Sequence, residues 1–211
     1  MAIGLATTVS EGAKLKIIGV GGGGCNAVHN MVASGLQGIE FIIANTDKQS
    51  LDNKNADKKI QLGKKTTNGL GSGGKPEIGK KSTEEDEAEI REALAGSNMV
   101  FVATGMGGGT GSGATPEIAR IAKEMGILVV GIVTKPFEWE GVKKMTTAIN
   151  YIEILRNHVD ALIVIPNQRL LQIIDHNVSF NEAFKKVDEV LHNATKGITE
   201  IIGNHGEVNI D

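Results

Sequence analysis

Two glycine-rich stretches constrain this chain more than anything else in it. GVGGGGCN (residues 19–26) follows the apolar run KLKIIGV (14–20), and GMGGGTGSG (105–113) follows NMVFVAT (98–104). Each is succeeded by a helical pattern, from about Asn26 to Ala33 and from about Thr110 to Met125. A junction of this kind exposes unpaired backbone N–H groups at the positive end of a helix, where an anion's oxygens can accept from them. Glycine suits the position because the turn demands positive φ and because a β-carbon would hold the anion away. One such loop is compatible with a tight turn that binds nothing. Two at equivalent junctions argue for a single cradle for a nucleotide's phosphates, built from main-chain amides instead of a lysine.

The rest of the chain repeats the alternation. IEFIIAN (39–45), ILVVGIVT (127–134) and VDALIVIP (159–166) read as strands, and about Gly141 to Asn157 as a helix. Continuous apolar strands alternating with helices imply an α/β fold, a parallel sheet with helices on both faces. The segment from Asp47 to about Lys81 reads as polar and glycine-rich without regular structure. STEEDEAEIREAL reads as a helix opened by a capping box of Ser82 and Glu85. The acidic cluster Glu84 to Glu89 complements a helix dipole better than it makes a metal site. The pairs Lys58–Lys59, Lys64–Lys65, Lys80–Lys81 and Lys185–Lys186 read as solvated surface. From Phe180 to Ile202, apolar residues fall at 180, 184, 187, 191, 194, 198 and 201. That spacing predicts a helix of about 34 Å. Ala183, Val190 and Ile202 widen its apolar surface, so contact with more than one neighbour is expected, with part of that surface exposed.

Composition narrows the function classes. The net charge of −3 and an aromatic content of 3 % argue against a dedicated nucleic-acid binder. Cys25 is the only cysteine among 211 residues, so no intramolecular disulfide forms and a reducing, cytoplasmic setting fits. MAIGLATTVSEG lacks the pattern of a signal peptide, and the apolar runs are too short for membrane insertion. Cys25 and His29, four apart, offer too few ligands for zinc. GLGSGGKP (69–76) fits G-x-x-x-x-G-K, but Pro76 stands where a P-loop needs Ser or Thr, and no strand precedes it. Gly19, Gly21 and Gly24 match G-x-G-x-x-G, which with Asp47 as ribose partner would suggest a nicotinamide dinucleotide. The second glycine loop disfavours that fold, and no proton relay accompanies it. Trp139 and Met106 read as loop packing.

At the level of longer motifs the chain resembles FtsZ, the prokaryotic tubulin-homologue family of cell-division GTPases. GGGTGSG after a buried strand is similar to the tubulin signature, and GVGGGGCNAV, IIANTD, VTKPFEWEG, IPNQRLL and GEVNID extend the likeness. The resemblance implies a flexible segment at 1–13, a GTP-binding domain at 14–179 of tubulin/FtsZ type, and a long central helix at 180–203. It implies the start of a catalytic inter-subunit loop at 204–211, with the family's C-terminal domain absent. It implies GTP or GDP with Mg²⁺ as cofactors and head-to-tail self-association into filaments. The setting implied is the cytoplasm, at the division site at midcell, with division-machinery partners engaged through a tail not present here. Residue by residue, it implies that Gly21, Gly22, Gly23, Gly24, Cys25 and Asn26 lie along the nucleotide, with Asn26 near guanine and ribose. Asp47 would lie near the phosphates and Mg²⁺, touching the metal through water. Gly71, Gly73 and Gly74 would sense the γ-phosphate, and Gly107, Gly108, Gly109, Thr110 and Gly111 would wrap the α- and β-phosphates. Glu140 would take the ribose hydroxyls, and Asn167, Phe184 and Asp188 would read and stack the guanine. Pro136 and Lys144 complete the set, Lys144 standing where the family commonly has arginine. Asn209 and Asp211 would act in trans on the next subunit's nucleotide. The competing expectation is a non-hydrolysing GTP/GDP-binding module that caps filaments, separable by a turnover assay.

Overall fold

The computed structural model describes residues 13–172 and 179–203, the last six of these in backbone only. Its framework is a six-stranded, wholly parallel sheet: β1 (Leu15–Val20), β2 (Ile39–Asn45), β3 (Lys58–Gln61), β4 (Met99–Gly105), β5 (Leu128–Lys135) and β6 (Ala161–Pro166). The spatial order is β3-β2-β1-β4-β5-β6. Winding therefore reverses between β1 and β4, which makes the carboxyl end of that pair the topological switch point of the sheet. Val20 lies in register with Thr104, so the two glycine stretches leave the sheet side by side at one level.

Alternate residues along each central strand feed two cores, which is why these strands are apolar without interruption. Ile18, Val20, Val100 and Val102 pack under α5 (Glu87–Leu94), α6 (Gly109–Glu124) and α7 (Val142–Arg156), through Ile90, Ile118 and Ile152. Leu15, Ile17, Phe101 and Ala103 pack on the other face against α1 (Gly21–Ala33) and α9 (Phe180–Gly203), through Val28, Met31, Val187 and Leu191. The outer faces of α5 and α6 carry an ion-pair lattice of Arg91 and Arg120 with Glu87, Glu117 and Glu124. Such exposed pairs contribute at most about 1 kcal/mol each.

The segment after Asp47 holds more structure than its composition suggests. It contains α2 (Lys48–Asp52), the edge strand β3, α3 (Lys64–Thr67) and α4 (Pro76–Glu85). The edge strand KKIQ escapes a hydrophobic criterion because lysines suit a strand with one unpaired side. The capping box at Ser82 and Glu85 does not form. α4 starts six residues earlier, with Pro76 in its first turn, where the missing N–H costs nothing. Ser82 is buried inside it, with no partner for its hydroxyl among the described residues. Glu85 instead accepts from the backbone N–H groups of Lys65 and Thr66 at the start of α3, at 2.7 and 3.0 Å. Acidic residues do occupy the first turn of α5, as the dipole argument expects, but Asp86 accepts from Gly63 N–H at 2.6 Å. Among the described residues no helix is long and apolar enough to cross a membrane.

Candidate functional site

The first helix begins inside the glycine run itself: α1 starts at Gly21, not at Asn26, and α6 starts at Gly109. Their N-termini are pressed together. A β-carbon on Gly21, whose φ is +68°, would lie 2.9 Å from Gly111 N, and one on Gly23 would lie 3.3 Å from Gly105 N. Gly111 in turn sits against Thr104 Oγ1 and Gly105 O. Glycine is used here for close approach of two backbones, which brings two sets of unpaired N–H groups over one space. A third loop closes against them: Ser72 Oγ lies 3.1 Å from Thr110 Oγ1, which is also 2.6 Å from Thr46 Oγ1.

That space is a cavity of about 370 Å³. Gly22, Gly23 and Gly108 to Gly111 form its backbone end. The opposite end is made of side chains from three elements: Asn167 of α8 (Asn167–Leu170), Phe184 and Asp188 of α9, and Asn26 of α1. Asn167 is buried, and among the described residues its Oδ1 has no hydrogen-bond partner. An unpaired buried carbonyl is costly unless something supplies a donor. Asp188 accepts from Asn30 Nδ2 at 3.2 Å. Burial pushes its carboxyl up to about 6, against the opposing effects of the Lys54 charge and the Asn30 bond.

The rim is the 3₁₀ turn Glu138–Glu140. Glu140 accepts from Phe137 N–H at 2.9 Å and pairs with Lys144 at 3.1 Å, so both carboxylate oxygens are already oriented. Trp139 stacks on the buried Phe137, with centroids 4.0 Å apart. Phe137 meets Phe184 edge-on at 5.4 Å, and Trp139 meets Phe180 at 5.3 Å. Trp139 thus ties the rim both to the start of α9 and, through Phe137, to the core on that face of the sheet. The exposed apolar surface expected on α9 is present at that start, where Phe180 is 66 % and Phe184 42 % exposed. Ala183, Val187 and Leu191, turned inward, are buried, and Ile198, Ile201 and Ile202 lie outside the described side chains.

Of the residues singled out in the sequence, Gly22, Gly23, Asn26, Gly108, Gly109, Thr110 and Gly111 line the cavity, as do Pro136, Glu140, Lys144, Asn167, Phe184 and Asp188. Others do not. Gly21 and Gly24 lie behind the wall, where they allow backbones to touch. Cys25 turns into the core, its thiol donating to Gly19 O and Ala44 O, and burial raises it to about 12. Asp47 caps α2 by accepting from Ser50 N–H at 3.1 Å. Gly107, at φ +105°, packs against Lys144 and Pro136. In the loop of Gly71, Gly73 and Gly74, it is Ser72 that faces the cavity, the glycines serving the turn with positive φ. Met106, read from the sequence as loop packing alone, and Thr134 near the end of β5 also line the cavity. Asn209 and Asp211 lie outside the described residues. Among the described residues no cluster of three or more His, Cys, Asp or Glu could hold a metal.

A family model described as Tubulin/FtsZ family, GTPase domain, matches residues 14–175. Among solved structures, the chain is similar to an empty FtsZ dimer from M. jannaschii, with 45 % identity and a TM-score of 0.89. That match covers 94 % of this chain and 58 % of the other. A W319Y mutant of FtsZ from M. jannaschii matches at 44 % identity and TM-score 0.90, over 95 % of this chain and 60 % of that one. The chain therefore spans less than two thirds of the length of these relatives. CetZ2 from Haloferax volcanii, solved as a GTPγS-bound protofilament, shares the fold at 24 % identity and TM-score 0.78, over 88 % of this chain and 57 % of that one.

Proposed function

This chain belongs to the tubulin/FtsZ family of GTPase domains, and from that membership we propose that it is the guanine-nucleotide-binding part of a filament-forming GTPase of bacterial cell division. One observation carries the reading. Two glycine-led helix N-termini meet at the sheet's switch point over a cavity whose far wall holds a carboxylate and an amide carbonyl without a partner among the described residues. Backbone donors of α1 and α6 suit the phosphates of GTP or GDP. Asp188 suits guanine, because a carboxylate accepts from both N1–H and the 2-amino group, which adenine does not offer. Asn167 belongs beside it, Phe184 stacks the base, and Glu140 and Lys144 frame the ribose.

The residues fit a nucleotide because close packing at Gly21, Gly23 and Gly111 brings the two helix N-termini together while Gly22 and Gly108 leave open space beside them, and because the Asn167 carbonyl finds no donor among the described residues. Mg²⁺ would be held largely by the phosphates and water, as is usual for this ion, and would neutralise their charge. Asp47, which caps α2 beside this end of the sheet, would reach the ion only through water. Hydrolysis is assigned to the next subunit's loop in a head-to-tail filament, with Asn209 and Asp211 acting there. The 45 % identity to an FtsZ solved as a dimer supports self-association.

Two measurements test the reading. The nucleotide released on denaturing the purified protein should be GDP or GTP, and ATP binding as tightly as GTP would end the proposal. Phosphate release should rise more than linearly with protein concentration if a second subunit completes the site. A rate per subunit that is constant on dilution would place catalysis within one chain.

A further inference from the structure

Asp188 borders two spaces. One is the cavity with the glycine loops; the other is a groove between α1 and α9, bounded by Asn30, Ser34, Lys185, Glu189 and His192. On α1, Asn26 reaches the cavity and Asn30, one turn further along the same face, reaches the groove. On α9, Phe184 and Asp188 repeat that spacing. We propose that Asn30 is a positioning residue for base recognition: its amide grips Asp188 Oδ2 from the groove side and so presents the remaining carboxylate edge to a guanine. The inference rests on the guanine reading above and names a residue that the family motifs leave out.

The direction of the bond is unambiguous, since an ionised carboxylate only accepts, so Asn30 Nδ2 donates across 3.2 Å. A carboxylate that must meet two parallel donors on a base has to be fixed in its plane. A flexible side chain on a helix is not fixed by its backbone alone. No other hydrogen bond to the Asp188 carboxylate occurs among the described residues. The charged groups around it are Lys54 from the loop after α2, and Lys185, Glu189 and His192 on α9. Lys54 favours the ionised form, as the Asn30 bond does, against the cost of burial. His192 Nδ1 lies 3.4 Å from Ser34 Oγ, and burial and then Lys196 lower its basicity. It therefore adds little positive charge near Asp188 at neutral pH.

The test compares wild type, Asn30→Ala and Asn30→Gln. Asn30 is exposed, so all three should fold, with N30A melting no more than a few degrees lower at neutral pH because its Asp188 carboxylate has lost a donor. In ligand-free protein, a ¹³C NMR titration of the Asp188 side chain should show its midpoint raised by about half to one pH unit in N30A. In calorimetric titrations, N30A should weaken GDP binding roughly five- to tenfold. Inosine diphosphate, which lacks the 2-amino group and needs only one carboxylate contact, should lose less than about twofold. N30Q keeps an amide donor and should recover most of the difference. An unshifted Asp188 midpoint, together with equal losses for both nucleotides, overturns the positioning role. If wild type itself shows no preference for GDP over ADP, the guanine reading falls and this inference with it. If wild type prefers GDP and N30A matches wild type throughout, only the inference falls.

Discussion

The two ends of the cavity are made of different material. The end at the glycine loops is backbone, held by contacts so close that a single methyl group would displace a neighbour. The end at α9 is side chains drawn from three separate elements, with an amide carbonyl still unpaired and a carboxyl burdened by its own burial. A backbone site gains rigidity from packing and cannot discriminate between nucleotides, since every nucleotide has phosphates. A side-chain site discriminates, and it does so by keeping polar groups in places that lower stability.

The largest effect should come from breaking the backbone end. Gly111→Ala would set a β-carbon 2.8 Å from Gly105 O and against Thr104 Oγ1. It should cost about 1–3 kcal/mol of stability and roughly a hundredfold or more in GDP affinity, read by thermal melting and calorimetry. Gly22→Ala is the control that sharpens this. Nothing lies within 4 Å of its new methyl group, so stability should hold, while affinity falls because the methyl intrudes on the phosphates. Full affinity in G22A would show that phosphates sit elsewhere.

The side-chain end should respond in the opposite sense. Asp188→Asn should lower the preference for GDP over ADP by roughly 10- to 100-fold, since a charge-assisted pair of bonds is lost. The same change should raise stability by about 1 kcal/mol at pH 7, a figure reduced for partial solvation. The sign follows from a folded value raised to about 6 from 3.8. Between about pH 4 and 6 only the folded state holds the proton, so wild-type stability falls as pH rises across that window. The gain in D188N is therefore complete above about pH 6 and absent below about pH 4. Denaturant melts at pH 4 and 7 check it.

Smaller effects belong to the rim. Trp139→Ala should cost about 0.5–1.5 kcal/mol through the lost stack on Phe137, and Trp139→Phe should restore most of it. Trp139 is the only tryptophan, so its fluorescence should also change when a base meets Phe184. Lys144→Arg should tighten nucleotide binding by no more than about threefold, because Lys144 is already paired with Glu140 and the charge is unchanged.

The backbone end was legible in the chain because glycine carries its own signature. A turn needing positive φ, or two helices starting within contact, leaves glycines clustered at predictable junctions. The buried strands β1, β4 and β5 were legible for a similar reason, as unbroken apolar runs. The edge strand β3 and the start of α4 were hidden by lysines and by a misleading S-x-x-E pattern. The pattern failed because Ser82 faces inward under Gly63, a contact far apart in sequence. Ser72 and Met106 were hidden within glycine stretches whose glycines drew the attention, and Thr134 had no motif to announce it.

What the linear chain determined by itself was the alternation of strand and helix and the presence of two anion-ready turns, because both depend on local backbone preference and local burial. Only the tertiary structure decided that those turns meet, since that follows from the strand order and the register of Val20 with Thr104. It alone decided that Cys25 and Asp47 turn away while Asn30, four residues past a motif, holds Asp188 from a helix 158 positions distant. Contacts of that range are set by packing two faces of one sheet, and no local pattern carries them.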